Sequence, residues 1–123
     1  MAHYLIEVGY TPQAWKSQVE SQANVIERIT PGVKAAKGKI VSIYYAFGES
    51  DLIGIMDFPS PEDAAGFALA VTSGGALRSF KTTPLLTVDQ GIESMRRAGE
   101  ISKKYTPPVT VDLTEQRTTA KAR

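Results

Sequence analysis

Six side chains in this sequence could do chemistry: His3, Tyr44, Glu49, Asp51, Lys81 and Thr83. Glu49 and Asp51 straddle Ser50 in a turn. If strand geometry holds at both, they point to one side and can act on one proton or one cation, as paired carboxylates do when their environments differ. The same residue types also serve turns through local hydrogen bonds. His3 is the only histidine. Its unperturbed pKa near neutrality makes it the natural proton carrier, although it lies two residues from the first residue, where fraying is common. Tyr44 is a candidate pocket wall, since a buried tyrosine ring seeks a partner for its hydroxyl. Lys81 and Thr83 point together along an extended segment and could hold a carboxylate or phosphate. The competing reading is an edge strand protected by charge.

These residues must be positioned by a short series of elements. "HYLIEVGY" (His3–Tyr10) alternates as a strand, with Tyr4, Ile6 and Val8 on one face and His3, Leu5 and Glu7 on the other. Thr11 caps a helix that carries Pro12 at its first position. Trp15, Val19, Ala23 and Ile26 recur at helical spacing. Pro31-Gly32 then predicts a break, with one piece to about Ile29, a short piece to about Lys37, and Gly38 as the stop.

"KIVSIYYAF" (Lys39–Phe47) predicts a second strand, with Ile40, Ser42 and Tyr44 facing opposite to Val41, Ile43 and Tyr45. Gly48 is expected to supply a positive φ for a tight reversal. "DLIGIMDF" (Asp51–Phe58) returns as a third strand, in which Gly54 signals a bulge or a close backbone approach. "SPED" (Ser60–Asp63) opens a second helix with a cap, a proline and an acidic first turn. Ala64, Phe67, Ala68 and Val71 form its buried stripe, and Gly74-Gly75 ends it. Ala76–Thr87 is a fourth strand whose Pro84 marks an edge or bend. Thr87 with Gln90 caps a last helix running to about Lys104. Two prolines stop it, leaving residues 1–108 as the domain and 109–123 as an extended arm or tail.

The bulk composition excludes several classes. The chain of 123 residues is 42% hydrophobic and 22% charged, with a formal net charge of +1. That is one ordinary globular domain. Near-neutrality gives no general attraction to nucleic acid or anionic membrane. There is no cysteine, hence no disulfide, thiolate metal site or cysteine nucleophile. One histidine cannot make a multi-histidine metal centre within a chain, so neither metal nor cofactor is expected. No basic stretch with a following apolar run opens the sequence, no run approaches the ~20 apolar residues of a membrane span, and a cytoplasmic location is the expectation. "SGGALRS" lacks the lysine and hydroxyl of a phosphate loop.

The order β-α-β-β-α-β plus a helix is the α+β, ferredoxin-like split pattern, with a four-stranded antiparallel sheet and helices on one face. The other face is expected to carry Leu5, Ile40, Tyr44, Leu52 and Met56, too apolar a set to leave in water. A second copy placed sheet to sheet would hide it, so a homodimer or higher homo-oligomer is expected.

"YYAFGESDL", "FALAV" and "KTTPLLT" carry a resemblance to the GYD-domain family, small bacterial proteins of largely unassigned role. The resemblance covers about His3 to Pro108. It implies a ferredoxin-like subunit of a dimeric α+β barrel. The family usually has Gly-Glu-Tyr-Asp at the hairpin, and this chain has Gly48-Glu49-Ser50-Asp51, so Ser50 cannot supply whatever the ring contributes. The arm after Pro108 is also longer than usual in the family. Function at this level is a homo-oligomeric module that binds a small molecule or a protein partner. The alternatives are a small cofactor-independent enzyme with a pocket between sheet and helices, and an assembly subunit that clasps its neighbour through the arm.

Overall fold

Alternating residues at the start of the chain form the central strand of a single sheet. A computed structural model gives the fold and describes residues 1–109. The chain divides into two units, Met1–Leu86 and a second beginning at Thr87. The first unit runs β1 (Ala2–Tyr10), α1 (Pro12–Ser21), α2 (Val25–Ala35), β2 (Lys39–Tyr45), β3 (Leu52–Phe58), α3 (Pro61–Ser73) and β4 (Leu77–Leu85). The sheet is antiparallel in the order β2-β3-β1-β4. This is the expected ferredoxin-like arrangement.

One face of the sheet is covered by the helices. Tyr4, Ile6 and Val8 of β1 and Leu52, Met56 and Phe58 of β3 are buried there with Val25 and Val33 of α2 and Ala64 and Phe67 of α3. Phe58 is the most enclosed side chain, at 0% exposure. Its ring lies edge-on to Tyr4 at 5.8 Å and tilted against Phe67 at 5.6 Å. Complete burial of such a ring stabilises by about 1.5–3 kcal/mol.

This assignment corrects the sequence expectation for the opposite face. Ile40, Leu52 and Met56 belong to the helix-covered side. β3 is apolar at nearly every position, so alternation alone gave it no phase. β2 carries a register shift between Ile40 and Ser42. The extra residue, Val41, inverts the parity of the strand. Ile40 therefore pairs with Met56, whereas Ser42 pairs with Ile55 and Tyr44 with Ile53. Gly54 marks the place, as its presence inside β3 had indicated. A Cβ there would stand 2.8 Å from the carbonyl oxygen of Ser42, closer than real contacts allow.

The helical region breaks earlier than Pro31. Gln22 adopts a left-handed conformation, φ 53°, and its N–H donates to the Gln18 carbonyl. Asn24 then starts a new helix, its side-chain oxygen accepting from the N–H groups of Ile26 and Glu27. The cap in "QAN" outweighs the proline, which sits inside α2. With two separate helices, the stripe drawn through Val19 and Ile26 dissolves, and both side chains are exposed. Val25, Ile29 and Val33 form the true apolar stripe of α2. At its end the left-handed residue is Lys37, φ 61°, one position before Gly38.

The β2–β3 connection also differs. Gly48 does not take a positive φ. The connection is wider than a tight reversal, closed by a hydrogen bond from the Ala46 N–H to the Asp51 carbonyl at 2.9 Å. The positive φ falls instead at Gly75, +82°, where α3 turns into β4. Ser60 caps α3 as expected, accepting from the Asp63 N–H at 3.1 Å.

The second unit contains α4 (Val88–Ser102). Thr87 and Gln90 form the reciprocal capping box, which satisfies two helix-end donors. Glu93 pairs with Arg96 and Arg97 along this helix. The expected arm lies outside the described residues, apart from Val109. No helix among the described residues is long and apolar enough to cross a membrane.

Candidate functional site

The face of the sheet opposite the helices of its own unit collects most of the residues singled out by type and spacing. Strand register lays them in rows across the four strands. The first row is Lys39, Asp57, His3 and Leu85. The next is Ser42, Ile55, Leu5 and Thr83, and the third is Tyr44, Ile53, Glu7 and Lys81. Leu5, Ile53 and Ile55 thus form an apolar centre across the second and third rows, with His3 and Asp57 at one end and Ser42, Tyr44, Glu7, Lys81 and Thr83 beside it. Lys81 and Thr83 share this face, as expected. Tyr44 projects on it with 70% of its surface exposed. Tyr45 turns to the helix side, its ring 6.2 Å from that of Trp15.

His3 is not isolated. Its Nδ1 meets Oδ1 of Asp57 on the neighbouring strand. The Asp57 side chain is 15% exposed and that of His3 41%. With Asp57 ionised, Nδ1–H donates and the ring orientation is fixed, which leaves Nε2 as the free lone pair. Lys39 is the register partner of Asp57 on its other side. Glu7 and Lys81 are opposite charges in register.

Glu49 and Asp51 have different surroundings. Asp51 Oδ2 accepts from the Tyr10 backbone N–H at 2.8 Å, the Trp15 indole N–H at 3.2 Å and Arg78 at 3.3 Å. The Tyr10 hydrogen bond, aided by those from Trp15 and Arg78, holds the Asp51 carboxyl below its ordinary value, against the opposing effect of burial. Asp51 is therefore a brace joining hairpin, β1, α1 and β4. Glu49 contributes its backbone carbonyl, which accepts from Arg78 at 2.9 Å. No three metal-ligating side chains cluster among the described residues.

Sequence reasoning missed Asp57, Arg78, Tyr10 and Arg28. Asp57 was legible in principle, since it follows Ile53 and Ile55 at even spacing, but the phase of β3 had been inverted. Arg28 lies in α2, where the sequence predicts the first helical piece continuing to about Ile29. It donates to the Tyr10 hydroxyl at 3.3 Å and to Gln18 Oε1 at 3.4 Å. Burial raises the pKa of Tyr10, partly offset by Arg28. These two residues border a small cavity between sheet and helices. His3, Tyr44, Glu49, Asp51, Lys81 and Thr83 are not among its lining residues.

The GYD domain family matches residues 4–95. The chain belongs to the GYD-domain family. No curated protein matches the sequence. Among solved structures, the crystal structure of MtbAldR is similar at a TM-score of 0.54 and 19% sequence identity. The match covers 70% of this chain and 52% of MtbAldR. This GYD-domain chain therefore spans about half the length of that protein, and the likeness is one of fold.

Proposed function

We propose that this GYD-domain protein is a homo-oligomeric binding module whose subunits meet through the sheet face opposite α1, α2 and α3. One observation carries the reading: Leu5, Ile53 and Ile55 form an apolar centre on a face without helices of its own unit, with polar side chains around it. Burying such a patch against a second copy removes its apolar area from water. The neighbouring Tyr44, Thr83 and Lys81 would then line the seam, where a small molecule or a protein segment finds both apolar contact and charge.

The test is an Ile55→Asp variant beside Val19→Asp, an exposed helix control. Native mass spectrometry should show Ile55→Asp as a monomer and Val19→Asp with the wild-type assembly. Equal assembly in both variants would reject the sheet face as the interface.

A second reading is favoured by the His3–Asp57 contact. A carboxylate that orients a histidine is the supporting half of a general-base arrangement, which suits a small cofactor-independent enzyme working on the sheet face. Asp57→Asn would then lower any turnover found while leaving assembly intact. Unchanged turnover would remove this reading.

A further inference from the structure

Two concavities in the first unit share Tyr10 and Arg28. The inner one lies between sheet and helices, has a volume of about 50 Å³, and touches Ile6, Leu52, Met56, Phe67 and Val71. The outer one is a groove of about 620 Å³ bordered by Gln13, Ser17, Gln18 and Ser21 of α1 and by Gly75. Tyr10 and Arg28 line both. They are therefore the residues common to a greasy chamber and a polar groove.

Arg28 has no carboxylate partner within ion-pair distance among the described residues. It is held by two neutral acceptors at 3.3 and 3.4 Å, the Tyr10 hydroxyl and the Gln18 amide oxygen. These contacts are long for hydrogen bonds. A carboxylate offers two charged oxygens to the same fork and forms shorter, stronger bonds. The Tyr10 hydroxyl, which accepts from Arg28 here, carries a proton to donate to such an anion. One guanidinium suits a single negative charge better than a phosphate, which usually draws several donors.

We propose that this junction binds a short-chain aliphatic carboxylate, its head on Arg28 and Tyr10 in the groove and its tail in the inner chamber. The chamber exceeds the ~10–15 Å³ that admits one water and falls well below the ~150 Å³ of a benzene-binding void. The tail is accordingly a few carbons long. Apart from Tyr10 and Arg28 the chamber's lining side chains are apolar, which favours hydrocarbon in its depth.

The probe is butyrate, titrated into the full-length protein labelled at the methionine methyl groups. Met56 lines the chamber, whereas Met1 and Met95 are exposed and serve as internal references. Butyrate should shift the Met56 methyl resonance saturably and leave Met1 and Met95 in place. Butylamine, with the same tail and the opposite charge, should leave Met56 unmoved. Arg28→Gln should weaken the butyrate response about tenfold or more, as expected for a lost charge-assisted hydrogen bond. Val71→Ile, which adds one carbon beside the chamber, should weaken it with the guanidinium intact. An unmoved Met56, an equal response to butylamine, or an undiminished response in Arg28→Gln would overturn the proposal. None of these readouts depends on assembly size, so their failure leaves the sheet-face reading standing.

Discussion

The indole N–H of Trp15 and the backbone N–H of Tyr10 donate to the same oxygen of Asp51, at 3.2 and 2.8 Å. A residue that reads from sequence as a proton-handling carboxylate thereby also ties β1 and α1 to the β2–β3 connection. Its neighbour in that expectation, Glu49, keeps an exposed side chain and offers only its backbone to Arg78. Replacing Asp51 by Asn should destabilise the protein by about 1–2 kcal/mol, since charge-assisted bonds become neutral ones. Urea unfolding followed by Trp15 fluorescence would measure it. An unchanged midpoint would mean that Asp51 braces nothing.

The same carboxylate sets a pH dependence with a definite sign. Its folded pKa lies below the ordinary 3.8, chiefly because of the Tyr10 N–H. A depressed acid stabilises the folded state above its unfolded pKa, and that contribution disappears as pH falls through the folded value. Stability should therefore decline on acidification below about pH 4. The decline should be shallower in Asp51→Asn. Parallel acid limbs for the two proteins, measured by urea midpoints, would assign the slope to other groups.

Gly54→Ala tests the β2 bulge. The added methyl would press on the Ser42 carbonyl from 2.8 Å. Backbone cannot yield as a flexible side chain can, so a loss of about 1–3 kcal/mol is expected. Thermal unfolding would record it as a lower Tm, and a wild-type Tm would mean that the strand pair relaxes freely.

Much of the architecture was legible because its signals are local. Thr11, Ser60 and Thr87 each cap a helix where their side chains predicted one. Gly54 announced the close strand approach, and the element order announced the ferredoxin-like sheet. The failures share another cause. A bulge at Val41 reverses the facing of residues on its two sides, and nothing in "KIVSIYY" states which residue is extra. β3 is apolar on both faces, so its phase was set only by pairing with β1. Pro31 is the strongest breaker in this segment, yet the weaker Asn24 cap decides the geometry. The site suffered accordingly. His3, Tyr44, Lys81 and Thr83 do share a face, but Asp57 and Arg28 acquire their importance only through contacts between distant segments.

The most direct test of the account is the mass of the full chain in solution at micromolar concentration, measured by light scattering. Pairing through Leu5, Ile53 and Ile55 predicts twice the mass of one chain or an even multiple of it. A stable particle with the mass of a single chain would contradict the proposed assembly and the seam drawn from it.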